Sequence, residues 1–361
     1  MAVHNQKAVR EAPANTKGII HWLQENLFST PSNIALTLLG AYIIYSILPP
    51  FLQWAYFDAN FAGDSKAQCT GDGACWTFVK VKMDMFMYGF YPEDQVWRLQ
   101  AGVVLFFLLI GFFYFSKSNK LKIIAFTSYM IVAILLITGG MFGLEVVETD
   151  KWGGLMLTIV VAAVGIVFSF PIGIILAFGR ASELPIIKSI CITYIEFIRG
   201  VPLITILFMS SVILPLFFPE GITFDKLLRA LIGITLFQAA YVAEIIRGGL
   251  QSIPRGQYEA ADAIGLSYWQ KMLLVILPQA LKVAIPNLVG AFISLFQDTT
   301  LVLIIGLLDL LSMVGVAAGD SAWLGMETEG YVFVTFVFWA FCYGMSRYSN
   351  KLEKQFNTEL K

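Results

Sequence analysis

Gly256-Gln-Tyr-Glu-Ala-Ala-Asp-Ala-Ile-Gly-Leu-Ser-Tyr-Trp-Gln270, closing with Val275-Ile-Leu-Pro278, is a polar, amphipathic island in an otherwise apolar chain. It lies between two hydrophobic runs, each long enough to cross a bilayer. A membrane protein with such an island offers a docking surface to something soluble. The side of the membrane it faces decides the reading.

Of 361 residues, 58% are hydrophobic and only 14% charged. A soluble protein this apolar would expose large sticky patches, so an integral membrane protein is expected. A net charge of −1 argues against a nucleic-acid binder. No Gly-x-x-x-x-Gly-Lys-Ser/Thr phosphate loop occurs, so the chain lacks the standard part for hydrolysing ATP, and no catalytic residue is assigned. His4 and His21 fall in the polar N-terminal tail, away from any Cys/His cluster, so no metal site is expected. No short apolar core with a small-residue cleavage site opens the chain, so no removable signal peptide is expected.

Apolar runs near the length a bilayer requires predict about eight spanning helices, over 33–52, 99–115, 123–144, 155–178, 190–217, 227–246, 283–305 and 330–345. With the N-terminus placed in the cytoplasm, the segments 1–32, 116–122, 179–189, 247–282 and 347–361 face inward. Lys and Arg favour those segments more than two to one over the outer loops, as the positive-inside rule asks. The island and both termini are then cytoplasmic. Composition divides the chain near residue 150. A tail (1–32), three spans (33–150) with an outer loop at 53–98, and five spans (151–350) with the inner loop 247–282 precede a tail at 351–361.

The loop reads as two short helices joined at Gly265. Pro254 suits the start of the first, because its missing N–H would be unpaired there. Glu259 complements the helix dipole. Ala260 and Ala261 allow close approach of another backbone, Gly265 tolerates a left-handed conformation, and Pro278 and Pro286 break or bend the chain as it re-enters the membrane. The bland alternative is an amphipathic hairpin lying on the lipid surface.

Together, Gly248 through Gly265, Trp269-Gln270 and Leu277-Pro-Gln-Ala-Leu281 resemble the EAA loop of polar amino-acid permeases of ABC importers (histidine, glutamine, glutamate and arginine type). Tyr194-Ile-Glu-Phe-Ile-Arg-Gly-Val-Pro-Leu203, Ala240-Tyr-Val-Ala-Glu-Ile-Ile-Arg-Gly-Gly249 and Gln297-Asp-Thr-Thr-Leu301 are also similar to that family, over about residues 152–350. Val201 and Ile206 depart from it, where Thr and Gln are usual. The enlarged N-terminal part, with Gly-Ala-Cys-Trp76 and Tyr-Pro92, looks like the larger permease (M subunit) of general L-amino-acid transporters. The resemblance implies an all-α type I permease core of five helices preceded by three extra ones, in a bacterial inner membrane. It implies a second homologous permease, an ATPase dimer that binds ATP and Mg, a periplasmic amino-acid-binding protein and an L-amino-acid substrate. Gly256, Glu259, Ala260, Ala261, Gly265 and Pro278 would form the coupling helix gripped by the ATPase, and the chain itself would hold no cofactor. A secondary transporter and a non-transporting scaffold are the rival readings.

Ionisable groups within spans need a reason. Glu196 with Arg199, and Glu244 with Arg247, each share a helix face. They read either as local neutralisation at the membrane edge or as an inner gate. Arg229 reads as a snorkelling interface residue. Asp298 has no basic neighbour at helical spacing. With Gln297, Thr299 and Thr300 it forms either part of an amino-acid pathway, since carboxylate and hydroxyls suit an ammonium group, or a packing polar cluster. Cys69 and Cys75, in the outer loop, are a disulfide candidate against two free thiols. Cys191 and Cys342 read as buried thiols.

Overall fold

The computed structural model describes residues 18–219 and 224–359, with the side chains after Gln355 left aside. His4 and most of the expected N-terminal tail lie outside them. The chain divides into two units, Met1–Thr77 and Phe78–Lys361.

In the first unit, α1 (Ile19–Asn26) turns part of the expected polar tail into a short helix with Ile19, Ile20 and Trp22 exposed. Thr30 caps α2 (Pro31–Leu52) by accepting from the Asn33 amide at 3.2 Å. Pro49 and Pro50 lack N–H donors, and the helix widens into a π-turn at Gln53–Phe57 just beyond them. The loop that follows is closed by a Cys69–Cys75 disulfide with Cα atoms 5.6 Å apart. α3 (Trp76–Val81) crosses the division between the units.

The second unit continues with α4 (Met83–Tyr88), α5 (Val96–Phe115) and α6 (Asn119–Thr138). The third span was expected to reach residue 144, but the helix stops where Gly139 and Gly140 take φ of +72° and +84°. Leu99 of α5 and Val147 enter the same apolar core as Trp152, Leu157 and Ile234, and Ile137 of α6 packs against it, so α5 and α6 belong with the helices beyond residue 150. Arg98, expected in the outer loop, is instead 1% exposed and donates to the Glu145 carbonyl at 2.7 Å.

α7 (Gly154–Ala181), α8 (Pro185–Gly200), α9 (Leu203–Phe208) and α10 (Lys226–Ser252) follow. One straight span was expected over 190–217. The structure has Pro185–Gly200 and Leu203–Phe217 bent by 105°. The break falls where Pro202 removes a donor and holds Val201 in an extended conformation, φ −109° and ψ 134°. Arg229 does not snorkel free. Its guanidinium donates to the Ser211 carbonyl, inside the π-turn Met209–Ile213.

α10 is the central helix. Packing between spans depends on close fit, because lipid is as apolar as the side chains. A Cβ on Gly173 of α7 would sit 2.5 Å from Val242, and one on Gly249 of α10 2.5 Å from the Ala280 carbonyl. Small residues thus set the approach of α10 to both neighbours. A second core, around Ile195, Val242, Ile246, Ile276 and Ala280, lies at the end of α10 from which the polar loop emerges.

α11 (Arg255–Ala263) and α12 (Tyr268–Gln270) form that loop, and α13 (Leu277–Asp298) carries the chain away from it. Leu308 and Asp309 pair in parallel with Gly153 and Gly154, and Asp309 caps α14 (Leu310–Ala318), accepting from the Ser312 amide at 3.0 Å. α15 (Glu327–Glu359) completes the described chain. Among the described residues, six helices are long and apolar enough to cross a membrane, seven if the bent pair counts as one. The eighth expected span lies inside α15. Its 33 residues give about 50 Å, ample for crossing, but Tyr, Trp, Gly and flanking charges hold its hydropathy down.

Candidate functional site

The loop between α10 and α13 is a hairpin with one free face and one anchored face. Pro254 is the residue before α11 and not its first helical one, and its carbonyl accepts from Gln257 at 3.0 Å. Ile264 ends the helix, and Gly265 follows with φ +78°, a conformation that costs glycine nothing. The Ser267 amide donates to Gln270 Oε1 at 3.0 Å, one half of a reciprocal capping box that starts α12.

The second helix of the hairpin was expected to be a separate short helix and is not one. It passes through a π-turn, Lys271–Ile276, into α13, making one helical run from Tyr268 to Ile305. Pro278 stands in the first turn of α13, directly after the π-turn. The wider turn accommodates the missing proline N–H, so Pro278 modulates the helix without breaking it, and Pro286 is likewise held inside α13.

Two bonds brace the hairpin. Tyr258 Oη donates to the Leu250 carbonyl at 3.2 Å, and Lys271 Nζ meets Asp262 Oδ1 at 2.6 Å. Burial pushes the Tyr258 phenol above its ordinary pKa, the neighbouring Tyr268 adds to this, and Lys271 opposes it. Gly256, Glu259, Ala260, Gly265 and Pro278 are exposed. Ala261 is not: at 2% exposure it faces inward, so its small side chain serves packing within the hairpin and not the approach of another protein. Ile264, Trp269 and Leu274 add exposed apolar surface.

Above the hairpin the ionisable residues meet across helices. Glu244 pairs with Arg247 on its own helix, as the spacing predicts, with Nη2 at 3.2 Å from Oε2. Glu196 pairs with Arg180 of α7 at 2.8 Å, and Arg199 reaches Glu244 at 3.1 Å. The expected Glu196–Arg199 pair is therefore replaced by contacts between α7, α8 and α10. Arg180 was missed, although a lone arginine in the last turn of a span was the available signal.

The third group ends α13. Gln297 is exposed, Asp298 and Thr300 are half-buried, and Thr299 is 1% exposed. Thr299 Oγ1 donates to the Phe296 carbonyl at 2.7 Å and Thr300 Oγ1 to Gln297 at 3.0 Å. Gln297 Nε2 lies 3.7 Å from Cys342 Sγ. Asp298 has no hydrogen-bond or ion-pair partner among the described residues. Cys191 and Cys342 are half-buried free thiols. Asp309, also missed, is a fully buried carboxylate serving as a helix cap, signalled by an acidic residue just before an apolar run.

Residues 169–356 match the family described as binding-protein-dependent transport system inner membrane component. The chain is 51% identical over 352 residues to the inner membrane amino-acid ABC transporter permease protein YhdY of Escherichia coli (strain K12), covering 97% of this chain and 96% of that one. It is 39% identical to the glutamate/glutamine/aspartate/asparagine transport system permease protein BztC of Rhodobacter capsulatus, covering 96% of each. Among solved structures, an amino acid ABC transporter with histidines aligns with a TM-score of 0.50 at 27% identity, over 56% of this chain and 92% of that one. The chain belongs to the family of binding-protein-dependent transport system inner membrane components.

Proposed function

We propose that this chain is a permease subunit of an ATP-driven importer of L-amino acids, working beside a second, homologous permease. Two ATPase subunits would bind ATP and Mg, and a periplasmic binding protein would deliver the substrate. The observation that carries the reading is the hairpin: a braced, two-sided projection between two packed spans, with Gly256, Glu259 and Ala260 open on its free face.

A partner gripping the free face moves α10 and α13 together, because the hairpin is bonded to the end of α10 and runs without interruption into α13. The 22 residues of α13 extend about 33 Å from the hairpin to Asp298. ATPase closure would thus be delivered along one rigid rod to the unpartnered carboxylate. Asp298 and the Thr300 hydroxyl oxygen can accept from a substrate ammonium, whereas Thr299 is too buried to line a pathway. The ion-pair cluster of Arg180, Glu196, Arg199, Glu244 and Arg247 holds α7, α8 and α10 near the hairpin and acts as a brace for its motion.

In this reading the hairpin and both chain ends face the cytoplasm, in line with the distribution of basic residues. Co-purification of an ATPase with the wild-type chain, lost with Glu259→Lys, is the expected result. An ATPase partnership untouched by Glu259→Lys, or uptake that survives ATP depletion but not loss of an ion gradient, would reject it.

A further inference from the structure

A cavity of about 560 Å³ opens where the ends of α7, α8 and α10 meet the start of the hairpin. Arg180, Lys188, Arg247 and Arg255 line it, and its lining contains no acidic side chain. Arg180 and Arg247 are partly neutralised, but they and Arg199 share only Glu196 and Glu244, so three guanidiniums face two carboxylates. Lys188 and Arg255 are exposed and have no ion-pair partner among the described residues. The site therefore carries an uncompensated positive charge, with Tyr258 forming part of its wall.

The surroundings are apolar. Leu184 and Ile187, at the start of α8, are 59% and 45% exposed. Leu184 lies one turn before Lys188 on the same face, and Ile192, one turn beyond it, lines the cavity, so a ligand held by Lys188 has apolar surface along one side. A soluble anion has no use for that surface, and an acyl chain does. Basic pockets at the ends of spanning helices suit phosphate headgroups, and the arginine fork can bond two phosphate oxygens at once.

We propose that this cavity binds the phosphate headgroup of an anionic membrane phospholipid, with its acyl chains lying along α8. The bound lipid joins α7, α8 and α10 to the root of the hairpin. This goes beyond the transport reading and does not depend on it.

The test uses the purified full-length chain in detergent, with phosphatidylglycerol or phosphatidylcholine added, and native mass spectrometry to count retained lipid. Phosphatidylglycerol should be retained in preference to phosphatidylcholine. Each of Lys188→Gln and Arg255→Gln should weaken its retention about 5-fold, and the double variant about 25-fold. Arg255→Lys should restore most of the loss, and Lys117→Gln with Lys120→Gln, in another loop, should change nothing. Both target side chains are exposed and unpaired, and size-exclusion profiles of the variants report their folding. Equal retention of the two lipids, or full retention by the double variant, overturns the proposal. Displacement of phosphatidylglycerol by free glycerol phosphate in modest excess would show that the anion alone is the ligand and would overturn the lipid assignment. Loss of ATPase co-purification in the double variant with lipid retention unchanged would assign the cavity to an acidic protein partner instead.

Discussion

Arg199 bonds Glu244 of α10 at 3.1 Å and leaves Glu196, three residues back on its own helix, to Arg180 of α7 at 2.8 Å. The two glutamates thereby tie three helices together where sequence spacing offered two separate local pairs. Glu244 is the hub: its side chain is 14% exposed and lies within 4 Å of three arginines.

Removing the hub should cost more than removing any spoke. Glu244→Gln leaves three partly buried guanidiniums short of a carboxylate, a loss of about 2 kcal/mol. Glu196, with a side chain 55% exposed, should cost about 0.5 kcal/mol. A double-mutant cycle on thermal unfolding of the purified protein should show coupling between Arg180 and Glu196 and none between Arg199 and Glu196. Coupling in the second pair would contradict the arrangement.

Ala260 and Ala261 should separate docking from folding. Ala260→Leu alters only the exposed face, so the chain should remain as stable as the wild type while co-purification of an ATPase falls. Ala261→Leu pushes bulk into a closed contact within the hairpin and should destabilise it by about 1–3 kcal/mol. Limited proteolysis of the hairpin distinguishes the two: only the Ala261 variant should be cut faster.

These pairs show what the chain reveals before it folds. Local features were legible: the apolar runs, Gly265 at a left-handed position, and the Glu244–Arg247 pair, all set within a few residues. Features that depend on tertiary packing were not. The spacing of Ala260 and Ala261 cannot say which one faces inward, since neighbouring helical positions differ by about 100° and only the packing of α11 on the following turn decides. Arg98 was placed in the outer loop and Arg229 at the membrane interface, because nothing local offers them a partner. Their partners are the carbonyls of Glu145, in the loop after α6, and Ser211, in a π-turn with no sequence signature of its own. The bend at Pro202 was readable in principle, but the long apolar run around it concealed the break.

Lys82 and Asp320 supply a pH-dependent tie. Lys82 Nζ lies 2.7 Å from Asp320 Oδ2, joining the start of α4 to the loop after α14. The Lys82 bond, helped by the Ala322 amide, holds the Asp320 carboxyl below its ordinary value of 3.8. A folded-state pKa below the unfolded one means the tie is fully present above about pH 4 and is lost as pH falls through the lower folded value. Thermal stability of wild type and Asp320→Asn should differ at neutral pH and converge as pH falls below the lowered Asp320 value, and added salt should narrow the difference at pH 7 because the pair is only partly buried. A difference that persists unchanged at low pH would remove the ion pair as its cause.

Asp298 tests whether the rod leads to a substrate. A structural carboxylate in a span is normally paired, and Asp298 has no partner among the described residues although both adjacent threonine hydroxyls are bonded to their own helix. If it accepts a substrate ammonium, Asp298→Asn keeps the shape and removes the charge, at a cost of about 2 kcal/mol in charge-assisted bonding, or roughly 30-fold in uptake. ATPase co-purification and thermal stability should stay at wild-type levels, since the substitution lies about 33 Å along α13 from the hairpin. A merely structural Asp298 would give the opposite pattern, with altered stability and a normal uptake rate per folded molecule. Transport assays in vesicles, normalised to assembled complex, separate the two, and unchanged uptake by the Asn variant would take Asp298 out of the pathway.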